Sequence, residues 1–253
     1  MKRNSILVII FLATLLTIPL NSCIFIPGGF PTIGPRPEVT GSLNTATWEY
    51  EFADFTNIEV SSAFTVYVSK SNSYSVSITA NENLLDYLNV YQRGDTMYIG
   101  LKLANYRNIR HQANITMPLL LNLELSRASK GNLRCCPKFS SANPFKLGLS
   151  GASRLSGSIE AGHCNFNLSG ASTVKLAGSG NDADINASGA SNVELADFPI
   201  NNVEVKLSGA SSAAVNVNGR LDANLSGASH LEYIGEPTLG SIKTSGGSTV
   251  SKQ

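Results

Sequence analysis

Along much of the chain, apolar residues fall at every second position. Thr65-Val66-Tyr67-Val68 and Tyr74-Ser75-Val76-Ser77-Ile78 alternate as half-buried strands do. Glu82 to Leu88 has helical spacing instead, which predicts one short helix with Asn81 as its N-cap. Leu88-Asn89-Val90-Tyr91 and Met97-Tyr98-Ile99 flank Gly94-Asp95, which predicts a hairpin turning on that pair. The turn contains Arg93-Gly94-Asp95, a tripeptide some integrins read. A Gly-Asp turn between two strands accounts for it without a receptor.

Further on, the alternation is organised by a repeat. Leu149-Ser150-Gly151-Ala152-Ser153 returns at 168–172, 187–191 (with Ala187 leading), 207–211 and 225–229. A worn copy closes the series at Thr244-Ser245-Gly246-Gly247-Ser248, and Leu125-Ser126-Arg127-Ala128-Ser129 opens it. The glycines Gly151, Gly170, Gly189, Gly209, Gly227 and Gly246 are spaced by 19, 19, 20, 18 and 19 residues. A period that steady denotes a stacked array.

The columns of the array say which kind. Two residues before the leading position stand Leu147, Phe166, Ile185, Val205 and Ala223; four before stand Phe145, Cys164, Ala183, Val203 and Leu221. Six after it stand Leu155, Val174, Val193, Ala213 and Leu231. This is strand spacing on both sides of a Ser-Gly-Ala-Ser corner. The reading is therefore an all-β fold: a right-handed parallel β-helix, or β-solenoid, of about 19-residue coils, preceded by a β-rich N-terminal segment. A left-handed hexapeptide array would show a strict six-residue sub-repeat, and this one does not. Glycine supplies the positive φ of a sharp corner. The Ala column is expected to point into the bend, with the flanking serines hydrogen-bonding to corner backbone or neighbouring coils.

The N-terminus departs from this pattern. Met1-Lys2-Arg3 precedes an apolar run from Ile6 to Leu20, and Leu20-Asn21-Ser22-Cys23 follows. The run falls short of the roughly 20 residues a membrane-spanning helix needs and fits a secretory signal. A small residue before the cysteine resembles the bacterial lipobox, which implies lipidation at Cys23 and a membrane partner through that anchor. The expected organisation is a signal peptide over 1–22, a Pro/Gly-rich tether over 23–47 and a folded domain over 48–253. Within it, 48–125 is the β-rich segment and 126–253 the coils. Ile24-Phe25-Ile26 carries no acid after the cysteine, which favours the periplasmic side of the outer membrane over the cell surface.

Charge narrows the function classes. The 253 residues carry 19 Lys and Arg against 18 Asp and Glu, a formal net charge of +1. Loss of Lys2 and Arg3 with the signal leaves 17 against 18. Nothing here attracts nucleic acid or an anionic membrane surface. His111, His163 and His230 are far apart, no metal-ligand spacing appears, and no cofactor is expected. The one enzymatic candidate is the pair Asp184 and Asp222, outward and two coils apart. That is about 9–10 Å, near the upper end for an inverting glycosidase. Glu204 and Lys206 lie between them, and a solvated polar face explains all four. An envelope address would permit a disulfide from Cys135 or Cys136 to Cys164, although Cys164 also fits the core as a small apolar residue.

The chain resembles the putative autotransporter adhesin, head GIN domain family of bacterial envelope proteins. The likeness rests on Ile58–Val68, Ala80–Leu85, Gly94–Ile99, Ile115-Thr116-Met117-Pro118 and Tyr233–Pro237, besides the Ser-Gly-Ala-Ser coils. The family more often has Ser-Gly-Ser-Gly at the corners. The resemblance implies a right-handed β-helix in a lipoprotein or secreted protein, typical of the Bacteroidota. It brings no catalytic motif. The expected function is a non-catalytic envelope lipoprotein presenting its surface, as adhesin or scaffold, to glycans, envelope polymers or partner proteins. The alternatives are a carbohydrate-active β-helix enzyme and a structural or stress-related periplasmic component.

Overall fold

The computed structural model describes residues 36–134 and 136–253. The signal segment, Cys23, most of the tether and Cys135 lie outside the described residues. Pro37–Gln253 forms one compact unit. The fold is all-β, with a strongly curled sheet and a single short 3-10 helix among the described residues.

Order begins earlier than the sequence suggests. Strand β1 (Glu38–Thr40) and strand β2 (Thr45–Tyr50) start within the stretch read as tether. β1 is too short to show a period, whereas Ala46, Trp48 and Tyr50 of β2 alternate with polar residues; both are held by pairing with later strands. Next come β3 (Asn57–Val60), β4 (Thr65–Lys70) and β5 (Ser75–Asn81), then the 3-10 helix Glu82–Tyr87. Asn81 does not cap that helix. Its side chain is buried, donates to the Ser42 carbonyl at 2.6 Å and accepts from the Arg110 N–H at 2.5 Å. The expected hairpin forms between β6 (Leu88–Arg93) and β7 (Thr96–Leu101), with Gly94 at φ +61° in its turn. Strands β8 (Asn105–Arg107) and β9 (His111–Met117) complete this part. β1 pairs in parallel with β8, and β2 pairs antiparallel with β5.

The repeats follow as β10 (Asn122–Leu125), β11 (Lys130–Leu133), β12 (Phe139–Ser140) and β13 (Phe145–Leu149). Four long bent strands continue them: β14 (Arg154–Leu168), β15 (Thr173–Ala187), β16 (Asn192–Leu207) and β17 (Ser212–Leu225). Strands β18 (His230–Ile234), β19 (Thr238–Thr244) and β20 (Thr249–Lys252) end the chain. Each repeat pairs in parallel with the next, so that Cys164 aligns with Ala183, Ala183 with Val203 and Val203 with Leu221. These side chains are buried, as are Phe166, Ile185 and Val205 on one side of the corners and Val174, Val193 and Leu231 on the other.

The 20-residue step between Gly189 and Gly209 is absorbed away from the corners. Register shifts by one residue between Lys175 and Gly180 against β16; against β17 it shifts between Leu195 and Pro199 and again, in the opposite sense, between Ile200 and Asn202. Both flanking ladders keep phase. A slip there would turn the core side chains outward.

The array also begins earlier than residue 126. β3 and β4 flank a corner at Ser61-Ser62-Ala63-Phe64 and lie in register beneath β10 and β11. β7 and β9 form the next layer outward, parallel to β3 and β4. Antiparallel β6, β5 and β2 then close that end.

The corners invert one expectation. The Ala column is exposed, whereas the serine after it is buried: Ser129, Ser153, Ser172, Ser191, Ser211 and Ser229 are at most 1% exposed. Each buried hydroxyl donates to the carbonyl three residues back, from Ser153 to Ser150 at 2.7 Å and from Ser191 to Ser188 at 2.8 Å. A polar atom inside the stack is thereby satisfied within its own corner. The corner glycines all have positive φ, from +61° at Gly151 to +77° at Gly227. Crowding adds to that requirement, because a Cβ on Gly189 would lie 2.5 Å from the Gly170 carbonyl oxygen.

A candidate binding groove on the outward sheet face

Strand alternation sends every second residue of the ladder before the corners outward. Register then sets these residues in rows across the stack. One row runs Tyr91, Tyr98, Glu59, Glu124, Gly148, Asn167, Asn186, Lys206 and Asn224, each aligned with its neighbour on the next strand. Beside it runs a row of hydroxyls from the first serine of each corner, Ser126 and Ser150 among them.

This face is hollowed. A groove of about 560 Å³ extends from Tyr91 and Tyr98 past Glu59 and Glu124 to Asn167. It continues into a second hollow of about 430 Å³ over Asn186 and Lys206, and the two share Asn167 and Ser169. Gly148 makes the floor. Its Cβ position is 3.3 Å from Glu124 Cγ, so any side chain there would rise into the groove. Tyr91 and Tyr98 stack at 4.8 Å between centroids with 10° between planes, and form the end wall. Tyr98 donates a hydrogen bond to Glu59. Partial burial, and then the neighbouring Glu124 charge, push the Glu59 carboxyl above its ordinary range. Further along, Asn186 Nδ2 donates to Asn167 Oδ1 at 3.3 Å, extending the polar row from strand to strand.

Higher on the same strands lie Asp184 and Asp222, the enzymatic candidates. They align with Glu204 between them, two register steps apart. Each is engaged: His163 Nε2 meets Asp184 Oδ2 at 3.0 Å, and Arg220 clamps Asp222 through two nitrogens at 2.6 and 2.9 Å. The Arg220 hydrogen bonds, helped by the Ser241 N–H at 2.6 Å, hold Asp222 down to about 2. A carboxyl held that low is ionised at neutral pH and supplies no proton as a general acid. Lys206 pairs with Glu204 at 2.6 Å. The small hollow here, about 150 Å³, is a lattice of ion pairs.

His111 sits at the corner of the outermost layer. Its Nε2–H donates to the Ser62 carbonyl at 2.8 Å, and its ring stands edge-on to Phe64 at 4.3 Å. His230 bonds Thr249 Oγ1 at 2.7 Å. Among the described residues no group of three or more His, Cys, Asp or Glu could hold a metal ion. Cys164 is a free thiol inside the core, pushed up to about 12 by burial. The disulfide from Cys135 or Cys136 to Cys164 is therefore not formed. Strand alternation turns Cys164 inward, in register with Phe145 and Ala183.

The groove was not read from the sequence. Its row joins Tyr91 and Tyr98 to Glu59, and Glu59 to Glu124, across a long sequence gap. Only the degenerate corner at residues 61–64, matched to Ser126–Ser129, could have signalled that alignment.

The architecture resembles solved bacterial proteins. One is called a putative adhesin, from Bacteroides fragilis NCTC 9343, with 20% identity and a TM-score of 0.77, covering 85% of this chain and 100% of that one. Another, a putative adhesin from Parabacteroides merdae ATCC 43184, has 20% identity and a TM-score of 0.65, covering 86% and 99%. A third, called a putative lipid binding protein, from Parabacteroides distasonis ATCC 8503, has 17% identity and a TM-score of 0.71, covering 85% and 99%. These are likenesses of fold. No curated protein matches the chain. A family model does match, over residues 54–237, from β3 of the N-terminal layers to the end of β18, and the chain belongs to that family, described as putative auto-transporter adhesin, head GIN domain.

Proposed function

We propose that this protein is a non-catalytic binding protein of the bacterial envelope, which lays a glycan or envelope polymer along the groove over Gly148. The continuous hollow across successive strands carries this reading. Its hydroxyl and amide rows repeat at the inter-strand step of about 4.8 Å, offering an extended ligand similar contacts at each layer. The larger hollow presents mainly polar groups, unlike the apolar centre of a protein–protein interface, while the second also presents Leu168, Ala187 and Leu207. The adhesin description of the family agrees with a binding role. The engaged state of Asp184 and Asp222 speaks against polysaccharide cleavage.

In the same reading, the stacked layers form a right-handed parallel β-helix. Residues 1–22 direct export, Cys23 carries the lipid, and the following residues tether the domain to the outer membrane, on its periplasmic side. Protease added to whole cells would spare a periplasmic domain and digest a surface one. For binding, the full-length protein would be presented to a panel of polysaccharides and envelope polymers. At least one should be retained, and a wholly blank panel contradicts the proposal.

A further inference from the structure

We propose that the groove between the Tyr91–Tyr98 wall and Gly148 takes an amino sugar, with a free ammonium group of the glycan seated at Glu59 and Glu124. This rests on the reading of the groove as a glycan site and specifies which glycans it prefers. Glu59 and Glu124 are direct register partners on adjacent parallel strands, and both side chains leave the sheet on the groove side. Like charges placed opposite each other destabilise a sheet.

Most acids elsewhere on the repeats have a basic partner, although among the described residues Asp182, Asp197 and Glu232 form no ion pair. Glu160 pairs with Lys138, Asp184 with His163, Glu194 with Lys175, Glu204 with Lys206 and Asp222 with Arg220. Among the described residues Glu59 and Glu124 form no ion pair, and Lys146 on the neighbouring strand is also unpaired. The groove thus holds two acids at the foot of an aromatic wall, neither of them ion-paired to Lys146, the cation that lines it further along.

An ammonium group fits this place on three grounds. It neutralises the repulsion between the carboxylates. Its N–H groups match their acceptor oxygens, with Tyr98 already holding Glu59 in position. The tyrosine rings add the attraction of an aromatic face for a cation. Lys146 lies beyond Glu124 on the next strand and repels a cation from that side, so the site has one polarity. Asn167, Ser126 and Ser150 then meet the hydroxyls of the remaining sugar units.

The test compares oligosaccharides of one length by calorimetric titration into the full-length protein. The probes are a glucosamine oligomer with free amines, its fully N-acetylated form, and a neutral glucose oligomer. The expected result is at least tenfold tighter binding of the free-amine probe. The double variant Glu59→Gln, Glu124→Gln should abolish that preference, while Glu236→Gln, outside the groove, should keep it. Removing two repelling charges does not endanger folding, so the double variant remains informative.

Equal binding of amine and acetyl probes, or a preference that survives the double variant, overturns the inference. If all three probes then still lose binding in Gly148→Trp, the glycan site itself stands. Failure of the wild type to bind any probe overturns the inference too, and only a blank polymer panel removes the broader reading. A lysine peptide that displaces the free-amine probe at lower concentration would assign the site to protein side chains instead and overturn it. Calcium binding that needs both glutamates and excludes the amine would likewise do so.

Discussion

Ser191 Oγ donates to the carbonyl of Ser188 at 2.8 Å, inside a corner whose intervening Ala190 faces solvent. The same bond recurs from repeat to repeat, so the serine column forms part of the core although it is polar. Ser191→Ala should cost about 0.5–1.5 kcal/mol, the usual net value of one hydrogen bond. Ala190→Ser should stay within about 0.5 kcal/mol of the wild type, as an exposed substitution does. Denaturant titration of both variants checks the assignment. A larger loss from Ala190→Ser would reverse it.

Gly189 is constrained twice, by φ of +76° and by the Gly170 carbonyl beneath it. Gly189→Ala should destabilise by more than the roughly 1–2 kcal/mol of a left-handed backbone alone. Thermal melting would show this directly. A loss under about 1 kcal/mol would mean that neighbouring layers separate easily at the corner.

The Arg220–Asp222 clamp makes a signed pH prediction. Asp222 has a folded value of about 2 against an ordinary 3.8. Its stabilising effect is present above the ordinary value and is lost as pH falls toward the folded one. Asp222→Asn should melt lower than wild type at neutral pH, and the gap should close between about pH 4 and pH 2. A gap independent of pH would show that the clamp does not act through this charge.

His111 acts in the opposite part of the pH scale. Burial lowers it below its ordinary 6.5, with the Ser62 carbonyl bond opposing that shift. Its neutral form is favoured in the folded state, so stability is full above about 6.5 and declines as pH falls through the depressed value. Hydrogen exchange in β9 and β4 should accelerate under mild acid in the wild type and not in His111→Phe. Identical pH dependence in the two would locate the sensitivity elsewhere.

Much of the fold was legible because a steady corner marks the layers from Gly151 to Gly246 and a two-residue period marks both sides of it. The same period also reveals the inward serine. Counting back from buried Leu155 by twos reaches Ser153, not Ala152. The expectation that alanine filled the bend came from residue size, and parity was the better guide. The earliest layers were harder, because Ser61-Ser62-Ala63-Phe64 lacks the corner glycine and replaces the buried serine with Phe64. β1 is too short to announce itself, and the alternation of Ala46, Trp48 and Tyr50 in β2 begins inside the Pro/Gly-rich stretch that reads as tether; both owe their order to later strands. The groove was hidden for the same reason: Glu59 and Glu124 become neighbours only when the 57–70 layer is placed under 122–133.

The most direct test of the groove as the binding face is the affinity of Gly148→Trp for whichever polysaccharide the wild type retains. The new side chain would fill the floor without entering the core, since Gly148 faces outward and its Cβ meets only the flexible Glu124 side chain. The account predicts an unchanged melting temperature and at least a tenfold weaker Kd. Undiminished binding by a folded Gly148→Trp protein would contradict it.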